Sequence, residues 1–83
     1  MTYDVEKIRA DFPALKSGLA FFDGPGGSQV PTQVGAAIAA AITQPISNRG
    51  VTTLSEKNAD EIVLNFRKAV ADLINADPAG VVY

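Results

Sequence analysis

Residues 53–78 read TLSEKNADEIVLNFRKAVADLINADP, and this stretch decides the fold. Thr53 followed three residues later by Glu56 is a capping box. The threonine hydroxyl can accept from an early helix amide while the glutamate reaches back to the cap. Ala59, Ile62, Val63, Phe66, Ala69, Val70, Leu73 and Ile74 then recur at the helical period without a break. Asp60, Glu61 and Asp72 fall on the polar side, where solvated carboxylates belong. The helix ends near Asn75-Ala76-Asp77-Pro78.

A helix of about 22 residues at ~1.5 Å each is about 33 Å long. A compact chain of this size has a radius of gyration near ~12 Å, hence a diameter of about 30 Å. Two shorter helices do not cover so long a stripe, so the helix calls for a further apolar surface.

Upstream of it, Ile46 to Thr52 is irregular and contains Asn48-Arg49-Gly50. Before that, Pro31 suits the first turn of a helix whose apolar face is Val34, Ile38, Ala41 and Ile42, and Pro45 stops it. Gly35, Ala36, Ala37, Ala39 and Ala40 give this helix a thin profile that another element can approach closely. At the amino end, Thr2 or Asp4 caps a short helix with Val5, Ile8 and Phe12 on one face, and Pro13 closes it. Ala14 to Gly18 is a connector. Leu19-Ala20-Phe21-Phe22 is a short apolar run between glycine and Asp23-Gly24, which predicts a buried strand. Gly80-Val81-Val82-Tyr83 predicts the start of a second one. The expected fold class is therefore mostly α with two short strands. An apolar strand that stops in mid-run, its edges unpaired, is a liability in a complete protein, so the chain is expected to be part of a longer one.

The composition is globular: 47% of the 83 residues are hydrophobic and 19% charged, with a net charge of −2. Without cysteine or histidine there is no disulfide framework and no common zinc site. A domain of this length buries only about 60% of its unfolded surface, which leaves oligomerisation or a larger chain as the source of stability. Lys7, Arg9, Lys16, Arg49, Lys57, Arg67 and Lys68 are interleaved with acids, so no basic face for nucleic acid builds up. No apolar run approaches the ~20 residues that span a bilayer, and the start lacks the pattern of a signal peptide. The expected location is the cytoplasm, without nucleic-acid or membrane partners.

Few residues offer chemistry. Gly24-Pro25-Gly26-Gly27 does not match the spacing of a phosphate-binding loop or of a dinucleotide fingerprint. It is either a tight turn or a loop bare enough for a ligand to approach its backbone. Arg49 has a planar fork that suits a carboxylate and sits in a loop before a helix start; the alternative is a solvated arginine. Asp23 reads as a turn-stabilising aspartate. A lysine that forms a Schiff base must be desolvated and held in a pocket. Lys7, Lys57 and Lys68 lie on polar helix faces and Lys16 in a connector, so no catalytic residue is expected in this segment.

Three stretches together resemble one family. VEKIRADFPAL (5–15) resembles the amino-terminal helix of cysteine desulfurases of the SufS type. FFDGPGGSQVP (21–31) resembles the strand and loop that in those enzymes reads Leu-Asp-Asn-Ala-Ala-Thr-Thr before a proline and a helix; the Gly-Pro-Gly-Gly form is typical of a cysteine desulfurase-like branch. NRGVTTLS (48–55) resembles the His-Arg-Gly-Val-His-x-Leu-Ser stretch that opens the long helix. Asn48 and Thr52 stand where that pattern has histidines, and both this and the glycine loop change the polar groups that face substrate.

The resemblance implies the first fifth of a class V aminotransferase or cysteine desulfurase-like enzyme that uses pyridoxal phosphate (PLP). It implies a parent α/β fold of type I, an amino-acid substrate and a homodimer. Residues 1–53 would contribute to the small domain and the substrate loop, and 54–83 would lead into the large PLP-binding domain. Arg49, Asn48, Gly24, Gly26 and Gly27 would lie on the substrate side. The residues that hold PLP would lie beyond Tyr83. The alternative is a stand-alone helical module that dimerises or docks on a partner through the long helix.

Overall fold

The computed structural model describes Thr2–Tyr83, whose chain divides into two units, the first ending at Ala40 and the second covering Ala41–Tyr83. In the first unit, α1 spans Val5–Arg9, and Asp4 caps it by accepting from the Lys7 amide at 3.0 Å. A 3₁₀ helix, Pro13–Ser17, occupies the expected connector and closes on Gly18 in the left-handed region (φ 75°). Helix α2, Thr32–Thr43, starts in this unit just after Pro31 and ends three residues into the second. The Thr32 amide donates to the Asp11 carbonyl at 2.8 Å, which ties its first turn to the end of α1.

In the second unit, α3 spans Leu54–Ile74, which at ~1.5 Å per residue is about 32 Å long. It begins as its sequence dictates. Thr53 Oγ1 accepts from the Glu56 amide at 3.2 Å, while Glu56 Oε2 accepts from the Thr53 amide at 2.7 Å and the Thr52 amide at 3.0 Å. It ends on Asn75 in the left-handed conformation (φ 55°), and the Ala71 carbonyl accepts from the amides of Asn75 and Ala76.

Neither expected strand forms. A strand exists only through a neighbour that takes its backbone donors and acceptors, and among the described residues no segment pairs with either run. Residues 19–22 are irregular, and Phe22 is 92% exposed. At the other end Gly80 is drawn into a 3₁₀ turn, Pro78–Gly80, that Asp77 fixes by accepting from the Ala79 amide. This turn folds the chain back on α3. Val81 is buried, and the ring of Tyr83 meets Phe66 edge-on with centroids 5.8 Å apart.

Among the described residues the hydrophobic core is Ala59, Ala71 and Val81, all in the second unit. Val5 and Ile8 on α1, Val34, Ile38 and Ile42 on α2, and Ile62, Phe66 and Leu73 on α3 remain exposed. The chain presents 6846 Å² to solvent. Two separately folded halves of its 8.7 kDa would together present only about 5,700 Å². More than ~1,000 Å² that a folded protein of this mass would bury is therefore uncovered. No helix among the described residues is long and apolar enough to cross a membrane.

The backbone amides of Thr53 and Thr52 hold the Glu56 carboxyl below its usual pKa. A lowered folded-state value stabilises above the ordinary carboxylate range and stops doing so as pH falls through it. Helix content followed by circular dichroism should therefore drop on acidification below about pH 4, where ordinary glutamates protonate, and Glu56→Gln should flatten that drop. Thr53→Ala should lower stability by about 1 kcal/mol in denaturant titration at neutral pH.

Candidate functional site

The segment before α3 is stapled to that helix along its first two turns. Asn58 Nδ2 donates to the Pro45 carbonyl at 2.9 Å, and the Gly50 amide donates to the Glu56 carbonyl at 3.3 Å. Between these, Arg49 Nε donates to Asp60 Oδ1 at 2.7 Å, and Arg49 Nη2 lies 2.7 Å from the same oxygen. Of the sequence-predicted substrate residues, Asn48 and Arg49 thus sit at the start of the long helix. The Asn48 carbonyl accepts from the Ser47 hydroxyl at 3.0 Å.

Gly50 has a steric reason. A methyl group placed on it would stand 2.6 Å from Glu56 Cδ, 2.7 Å from its Oε1 and 2.9 Å from its Cγ. The carboxylate cannot swing away without losing the amides of Thr52 and Thr53. The loop is therefore threaded through a gap that only glycine leaves open.

Gly24, Gly26 and Gly27 belong to the first unit, where Gly24–Gly26 form a single 3₁₀ turn. Only Gly27 has a backbone that demands glycine, at φ 145° and ψ 166°. Added Cβ atoms on Gly24 and Gly26 would meet nothing within 4 Å. Their absence of side chains leaves bare backbone facing open space among the described residues.

Asp60, which the sequence reading assigned to the solvated face, is the partner of Arg49. A signal was present: Asp60 follows Glu56 by four residues and so shares its side of the helix, the side that the incoming loop must cross. Asn58 was missed as well, because a side chain that reaches a carbonyl thirteen residues back leaves no periodic trace.

The described residues do not suit PLP by themselves. Lys7, Lys16, Lys57 and Lys68 are all exposed, so none has the desolvated setting that keeps an amine neutral and nucleophilic. Among the described residues no polar residue is buried as a whole; the half-buried Arg67 has its Nε out of reach of solvent and without a hydrogen-bond partner. No cluster of three or more potential metal ligands occurs among them.

The chain is 40% identical, over 86 aligned residues, to the cysteine desulfurases of Salmonella newport and Salmonella typhimurium, an alignment that covers 95% of this chain and 21% of theirs. It is 35% identical over 82 residues to an uncharacterized protein of Mycobacterium tuberculosis, covering 99% of this chain and 21% of that one. This segment is related to cysteine desulfurases. It spans about a fifth of the length of the curated relatives it matches. No family model and no solved structure matches it.

Gly50→Ala should lower stability by about the 1 kcal/mol expected for losing the cap, because it expels the Glu56 side chain. Combined with Thr53→Ala, the two losses should fall short of additive in a double-mutant cycle, since both break the same cap. Full additivity would separate Gly50 from the capping box.

Proposed function

We propose that these residues are the opening segment of a PLP-dependent enzyme acting on an amino acid, of the class V aminotransferase and SufS-type cysteine desulfurase group. The observation that carries this reading is the similarity to cysteine desulfurases along nearly the whole chain but only 21% of their length. The uncovered apolar faces of α1, α2 and α3 support it, because they need a surface that these residues do not provide. In this reading the parent fold is α/β of fold type I, and the protein is a cytoplasmic homodimer. Residues 1–53 belong to the small domain and substrate loop, and 54–83 lead into the large domain.

The substrate side is assigned to Arg49 and Asn48, with Gly24, Gly26 and Gly27 as backbone contributors. Arg49 presents a guanidinium, which suits the carboxylate of an amino acid. The bare backbone at Gly24 and Gly26 suits close approach of a ligand. PLP supplies the electron sink for amino-acid chemistry, and the residues that hold it are assigned to the remainder of the enzyme. With Asn48 and Thr52 in place of the family's histidines, an aminotransferase, epimerase or kynureninase-like reaction is as compatible as desulfuration.

The deciding test is the intact mass and visible spectrum of the protein from its natural source. A species several times 8.7 kDa that carries the absorbance of bound PLP is the expected result. A species of 8.7 kDa without that absorbance would overturn the proposal and leave the long helix as a partner-binding surface.

A further inference from the structure

The way Asp60 holds Arg49 leaves most of the guanidinium unused. Nε and Nη2 both converge on one oxygen, Asp60 Oδ1, at 2.7 Å. A fork-to-fork pair would instead place two N–H groups on two carboxylate oxygens, the stronger arrangement. Five N–H donors are available on a guanidinium. Both side chains are open to water, at 39% and 30% exposure. Ion pairs in such settings have little net strength, because water screens the attraction and two long side chains must be ordered.

The loop does not depend on this pair for its position. Gly50 bonded to Glu56 on one side and Asn58 bonded to Pro45 on the other keep the backbone of Arg49 on α3. The pair can open while the loop stays in place.

We infer that Asp60 is an internal competitor for Arg49, a resident carboxylate that occupies the guanidinium until the carboxylate of a small ligand displaces it. The inference rests on the reading of Arg49 as a substrate-side residue. Asp60 is then a positioning residue with two effects. It parks the guanidinium at a defined place on the helix, and it sets the affinity for anions by competition. A planar carboxylate that can take two N–H groups at once displaces it; a spherical anion such as chloride does so less well.

The test is an acetate titration of the natural protein labelled at arginine Nε, read by NMR at constant ionic strength with chloride as the balancing anion. Arg49→Lys identifies the Arg49 signal, and Arg9 serves as reference. The expected result is a saturable shift of the Arg49 Nε–H whose midpoint falls about fivefold in Asp60→Asn, the upper range for an exposed ion pair. In the unaltered protein the Asp60 carboxyl carbon signal should move with the same midpoint as Arg49. Equal midpoints in the unaltered protein and Asp60→Asn would overturn the competition and leave the role of Arg49 standing. No response of Arg49 in either would overturn both. If Asp60→Asn loses helicity, the Asp60 carboxyl signal decides: movement supports the competition, and a fixed signal overturns it.

Discussion

The carboxylate of Glu56 is the point on which the second unit turns. It accepts from two successive amides, those of Thr52 and Thr53, at the moment the chain enters α3. The first amides of a helix have no partner within it, and this side chain bridges the helix start to the loop before it. Its position also dictates what can precede it, since the space beside it admits a glycine and nothing larger at position 50. Capping and loop path are one constraint here. The same carboxylate thereby brings Arg49 to the first turns of α3, within reach of Asp60.

A second constraint acts on the whole chain. Among the described residues three helices carry apolar faces, yet the buried hydrophobic residues are two alanines and one valine. Small side chains fill little volume, so the contacts they make contribute correspondingly little free energy. The helices hold their shape through caps and local hydrogen bonds, and their stripes remain available. That arrangement is what a segment of a larger protein or of an assembly would present, and it fits the share of the related cysteine desulfurases that the chain spans.

The same economy marks the candidate site. Its guanidinium is paired with Asp60, a side chain that is 30% exposed to water. Under the proposed function a surface completed by other residues accounts for this: a group parked on a weak internal partner is easily transferred to a ligand.

Local order was legible in the residues themselves. The capping box, the length of α3, the Asp4 cap, the proline boundaries of α2 and the stop at Asn75 all follow from interactions that span a few residues, and such interactions form wherever their residues occur together. The apolar runs at 19–22 and 80–83 misled because a strand is a property of a pair, and composition names only one member. Tertiary structure alone decided that Asp60 takes Arg49, that Asn58 staples Pro45 and that Gly50 makes room for Glu56. Each of these joins a loop without periodicity to a helix with it, so the pairing depends on the path of the chain in space, which no pattern along the sequence records.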